Sequence, residues 1–152
     1  MLGKKKDTEP AIITIVERKT RMSLWIKIKD HSSIAMDEAL QNLINRFGTK
    51  KYEVFKSITG DNGSEFANLS NIENNGISVY FTHPYTSCEK GTNECHNKML
   101  RRFIPKGKSI DDYSAEDIFF FSDTINGLPR KILNYHTPEE LFDNQLDRIY
   151  AT

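Results

Sequence analysis

Apolar and polar positions along this chain switch between two periods. Ala11-Ile12-Ile13-Thr14-Ile15-Val16 is apolar at almost every position and rich in β-branched residues, the pattern of a strand covered on both faces. Residues 22–29 alternate instead, with Leu24, Ile26 and Ile28 on one face. The polar stretch between them, Glu17 to Arg21, predicts the turn of an antiparallel hairpin. The period then changes. Met36, Leu40, Leu43, Ile44 and Phe47 form one helical stripe, behind a cap at Ser32 or Ser33 and closed by Gly48. Strands return at 52–59 and 77–81, separated by a short helix through Phe66 and Leu69 and a loop at 71–76. A helix is predicted from just after Gly91 to Phe103, and another over 114–126 with Ile118, Phe119, Phe121 and Ile125 inward. Thr137-Pro138 opens a last helix. This order predicts an α/β fold, a mixed sheet flanked by helices.

Composition adds little, and distribution adds more. A length of 152 residues suits one domain, residues 1–152. The 21 basic and 21 acidic residues cancel, so bulk charge names no partner. Residues 95–110, however, carry Lys98, Arg101, Arg102, Lys106 and Lys108 and no acid. Two cysteines make no disulfide framework. The longest apolar run is too short to span a membrane, and lysines follow Met1-Leu2 almost directly, so the expectation is a cytoplasmic protein with no membrane segment.

The chemistry gathers at two acids. Ser57-Ile58-Thr59-Gly60-Asp61-Asn62-Gly63 reads as a buried strand that ends in a carboxylate and a turn. Asp61 alone would be an ordinary turn residue. Glu94 lies on the later helix, preceded by Lys90 and Asn93, with Asn97, Lys98 and Arg101 at i+3, i+4 and i+7 on its face. One acid among amide and basic groups suits a cation beside a phosphodiester: carboxylates hold Mg²⁺ or Mn²⁺, and Lys, Arg and Asn position phosphate oxygens. The basic run from Lys98 to Lys108 reads as a track for DNA backbone, or as a solvated face. Glu65 reads as a first-turn helix acid or a supporting acid. His83, Cys88, Cys95 and His96 match no common zinc spacing. The run Phe119-Phe120-Phe121 reads as core rather than as a base-stacking platform.

Five stretches in order resemble the DDE transposases of bacterial insertion sequences, which share the retroviral-integrase catalytic core. They are Ile15-Val16-Glu17-Arg18-Lys19-Thr20-Arg21, Asp61-Asn62-Gly63-Ser64-Glu65-Phe66, His83-Pro84-Tyr85, Lys90-Gly91-Thr92-Asn93-Glu94, and residues 129–138 from Pro129-Arg130 to Thr137-Pro138. The resemblance implies an RNase H-like fold, with Asp61 as the second and Glu94 as the third catalytic acid. It implies Mg²⁺-dependent cutting and strand transfer of transposon-end DNA. The helix-face pattern around Glu94 makes Lys90, Asn93, Asn97, Lys98, Arg101 and Arg102 the candidate DNA contacts. The family's first Asp sits on a central strand upstream of the hairpin, and neither Asp7 nor Asp30 matches its position. The expectation is therefore a chain truncated before that strand, inactive alone, binding Mg²⁺ or Mn²⁺ weakly or not at all, and prone to form homo-oligomers through the strand edges left bare. An RNase H-like nuclease and a non-enzymatic DNA-binding or dimerising remnant are the alternatives.

Overall fold

In a computed structural model of the chain, the structure describes residues 8–60, 64–73, 76–81 and 87–151. The apolar run forms strand β1 (Ala11–Val16), which pairs antiparallel with β2 (Ser23–Ile28), Ala11 opposite Ile28 and Val16 opposite Ser23. Glu17 closes the hairpin. Its carboxylate accepts hydrogen bonds from the amides of Lys19 (3.0 Å) and Thr20 (2.7 Å) and from the Thr20 hydroxyl (2.6 Å). Burial pushes the Glu17 pKa up, but these bonds to its charged form outweigh burial and hold it below the ordinary 4.5.

Helix α1 (Ser33–Asn45) starts at Ser32, whose hydroxyl accepts from the Ala35 amide at 3.1 Å. Met36, Leu40, Leu43 and Ile44 are buried, as their spacing predicts. Gly48, at φ 56°, opens a 3-10 turn that passes into the short helix α2 (Lys51–Val54). The strand predicted at 52–59 is therefore shorter, β3 (Ser57–Gly60), and it is not the buried strand expected: Ser57 and Thr59 are exposed and Gly60 alone is buried. Packing overrides the β propensity of Tyr52 and Val54: Phe47 meets Phe55 edge to face at 5.3 Å, which needs the chain to turn between them.

A 3-10 stretch, Ser64–Leu69, runs into α3 (Ser70–Glu73), occupying part of the predicted loop. Strand β4 (Ser78–Phe81) then pairs parallel to β3. Helix α4 (Ser87–Phe103) begins ahead of Gly91, so that glycine lies inside the helix rather than at its start. Helices α5 (Ala115–Asn126) and α6 (Pro138–Tyr150) carry full capping boxes, Ser114 with Asp117 and Thr137 with Glu140. Among the described residues no helix is long and apolar enough to cross a membrane.

The strands separate two cores. Ala11, Ile13 and Ile28 pack with Met36, Leu40, Ile72 and Ile77, and partly buried Ile58 and Val79 join the same cluster. On the other face, Ile12 and Trp25 pack with Leu100, Ile104, Ile118 and Ile125. β2 is thus covered on both faces, with Ser23 and Trp25 buried as well as Ile28. The inward stripe of α5 is Ile118, Phe121, Ser122 and Ile125; Phe119 turns away from it and is 57% exposed, contrary to its predicted place in the core. The α/β class and the mixed strand directions hold. Yet β1–β2 and β3–β4 are two separate pairs, joined among the described residues by side chains rather than by backbone bonds.

Asn126 ties the far core to the hairpin. Its Oδ1 accepts from the Ser23 amide at 3.0 Å, and its Nδ2 donates to the Ser23 carbonyl at 2.8 Å. Ser23 Oγ in turn accepts from Trp25 Nε1 at 2.8 Å. Both Asn126 and Ser23 are buried. Asn126→Ala would leave a buried N–H and C=O unsatisfied, at about 1–3 kcal/mol each. Urea unfolding should show a lower midpoint with an unchanged slope; an unchanged midpoint would contradict the clasp.

The Glu17 bonds make a second prediction. Because the folded pKa lies below the ordinary 4.5, they stabilise the fold above that pH and are lost as pH falls through the folded value. Glu17→Ala should be less stable than the parent at neutral pH, with the gap closing in acid. A gap of equal size at both ends would show that the carboxylate charge is not what holds the turn.

Candidate active site

Parallel pairing decides where the site forms. Gly60 lies opposite Phe81, at the C-terminal ends of β3 and β4. The chain therefore leaves both strands at one edge, where open α/β sheets bind ligands. Asp61 follows Gly60 directly, and the segment after Phe81 leads into α4. Asp61 itself lies outside the described residues, and so does its distance to Glu94.

Gly60 has a packing role that sequence reasoning missed. A Cβ there would sit 2.6 Å from Leu69 Cδ1, and Leu69 is itself buried. The absent side chain lets the Ser64–Leu69 stretch fold back onto the strand tip. The Thr59-Gly60-Asp61 sequence carried that signal, but reads equally well as the start of a turn.

Helix α4 has two faces. His96, Leu100 and Ile104 are buried, and Met99 and Phe103 are partly so. Glu94, Lys98 and Arg102 are exposed, and Arg101 is half-buried. Glu94, Lys98 and Arg101 thus share one face, and Arg102 flanks it. Lys90 and Asn93 belong to the same helix, with side chains outside the described part. Asn97 also has a structural role, because its Oδ1 accepts from Thr14 Oγ1 at 3.3 Å and so docks α4 on β1.

Aromatic and cationic contacts hold this helix. Phe103 meets Trp25 edge-on at 6.1 Å and stacks on Phe121 at 4.8 Å. Arg130 Nη1 lies 3.4 Å from Met99 Sδ, and Nη2 donates to the Ile125 carbonyl at 3.1 Å. Burial lowers the Arg130 pKa, as expected for a guanidinium pressed between α4 and the end of α5. The stretch that begins at Pro129 thus braces the helix that carries Glu94. The stretch from Ile15 to Arg21 likewise includes the hairpin turn rather than the site. Asp30 caps the entry to α1 by accepting from the Ser32 amide at 2.9 Å.

Among the described residues no three His, Cys, Asp or Glu side chains form a metal cluster. Cys95 is exposed while its neighbour His96 is buried, so these two do not face one site. Glu65, His83 and Cys88 have side chains outside the described part.

No protein-family model matches the chain. It is 41% identical over 143 residues to the "Probable transposase for insertion-like sequence element IS1161" of Streptococcus salivarius, covering 94% of this chain and 40% of that protein. It is 36% identical over 143 residues to the transposase for insertion sequence element IS4351 of Bacteroides fragilis (90% and 41% covered). With transposase InsI for IS30A of Escherichia coli it shares 31% over 133 residues (87% and 34%). The chain therefore spans 34–41% of the length of these relatives. Its fold matches the catalytic core domain of BIV integrase at a TM-score of 0.58 and 15% identity, covering 95% of this chain and 99% of that one. Over nearly its whole length, then, this chain is a homologue of one segment of the insertion-sequence transposases, built on the fold of an integrase catalytic core.

Proposed function

We propose that the chain is catalytic-core sequence of a DDE transposase, which cuts DNA strands and joins them to a target with Mg²⁺ or Mn²⁺. The observation that carries this reading is the parallel β3–β4 pair, whose shared C-terminal edge feeds Asp61 on one side and the Glu94 helix on the other. Two carboxylates suit hard divalent cations, and Glu94 is open to a large substrate. When bound, such ions activate the attacking oxygen and stabilise the leaving one. The chain's own residues position the substrate: Lys98 and Arg101 beside Glu94, with Lys90, Asn93, Asn97 and Arg102, would follow phosphate oxygens along α4.

Neither β1 nor β2 carries an acid, and Asp30 is engaged at the start of α1. The reading therefore assigns two of the family's three acids to residues 1–152, which on their own would bind DNA and leave it uncut. Among the described residues no strand pairs with the second edge of β1 or of β3, which favours a second element of the reading, that copies associate through these edges.

Plasmid nicking in Mn²⁺ tests this reading. A form extended upstream to restore the first acid should nick. Its Glu94→Gln variant should lose at least about 100-fold, since losing even the groups that support a metal ligand costs 10–100-fold. Binding to DNA in EDTA should survive the change. Nicking by the variant at the parent rate, or EDTA-sensitive nicking by the 152-residue chain alone, would overturn the assignment.

A further inference from the structure

A small cavity opens where the end of α4 meets the segment entering β1. Its volume is about 190 Å³, room for about six waters at roughly 30 Å³ each. Arg101, Lys106 and Lys108 line it, with Glu9, Gly107 and Ser109. Three cations against one acid leave a local charge of +2. The turn that builds it is well defined: the Lys108 amide donates to the Pro105 carbonyl at 3.2 Å, and Gly107 takes φ +91°. A positive φ at the third position makes this a type II turn, which sets the two lysines on either side of the glycine. A Cβ at Gly107 would meet nothing within 4 Å, so the backbone conformation, not crowding, is what calls for glycine.

An ordinary structural role covers only part of this. Arg101 lies in the last turn of α4, where the helix dipole favours a cation. Lys106 and Lys108 lie beyond that helix and are exposed, and neither forms an ion pair among the described residues.

We propose that this cavity seats one phosphate of a DNA backbone lying along α4. The inference rests on the reading that Glu94 acts on DNA. Arg101 follows Glu94 by seven residues on the same face, about 10.5 Å along the axis at 1.5 Å per residue. Duplex DNA rises about 3.4 Å per step along each strand. The seated phosphate then lies about three steps or more from the bond being cut, a distance at which it fixes the register of the duplex on the helix. Lys106 and Lys108 approach the phosphate from the turn and Arg101 from the helix. Glu9 is the competing anion on the wall.

Free phosphate shares this chemistry, and a single experiment separates the two sources. Binding of a short labelled duplex is measured by anisotropy across a KCl series in EDTA. Lys106→Ala/Lys108→Ala should flatten the slope of log K against log salt by about 0.9 for the phosphate lost. Glu9→Gln should tighten binding, which a misfolded variant would not do. An unchanged slope in the double variant, with the parent binding normally, overturns this inference and leaves Glu94-dependent nicking standing. Failure of the parent to bind any duplex overturns both. Inorganic phosphate that binds the parent equally well with the duplex bound and without it would assign the cavity to the free ion, against the proposal.

Discussion

The parallel register of β3 and β4 is the constraint on which the rest depends. The pair is covered on one face only: Thr59 and Tyr80 are exposed, and the opposite side chains turn inward. Ile58, Val79 and the neighbouring Ile77 supply apolar surface to the cluster under α1 and α3. With Gly60 opposite Phe81, both strands end at one edge. An antiparallel arrangement would send the two exits to opposite ends. Gly60 leaves room at the strand tip for the buried Leu69 side chain, whose Cδ1 would otherwise have to shift.

The second requirement is a helix that is rigid on one face and available on the other. Leu100 and Ile104 sit in the core, Phe103 stacks on Phe121, and Asn97 is tied to Thr14. Arg130 ties Met99 on α4 to the Ile125 carbonyl near the end of α5. Asn126, at that same end of α5, holds the backbone of Ser23 on β2. This short region of α5 therefore anchors both the hairpin and the α4 helix. Glu94, Lys98 and Arg102 project from the opposite face of a helix fixed in this way.

Local rules made much of this legible. β1 could be read to the residue because its apolar run has no polar face, and α5 and α6 because Ser114 and Thr137 cap them as serine and threonine do. Glu94 stood out because basic groups recur at helical spacing after it. Long-range contacts left no local trace: Asn126 meets Ser23 across 103 residues, and nothing near Asn126 announces a strand partner. Tyr52 and Val54 favour strands in isolation but lie in a helical turn that brings Phe55 onto Phe47. Phe119 looked like core because it adjoins Ile118, yet one step around a helix turns a side chain by about 100°. Asn97 read as a phosphate ligand because it sits beside basic residues, and the hydroxyl of Thr14 gives it a packing role as well.

The central claim is that the edge shared by β3 and β4 brings Asp61 and Glu94 to one cation. Crystals of the chain soaked in Mn²⁺, with anomalous diffraction recorded at the manganese edge, test it most directly. The account predicts an anomalous peak within bonding distance of both carboxylates, lost in Glu94→Gln. A peak elsewhere, or two carboxylates pointing to opposite sides of the β3–β4 pair, would contradict it.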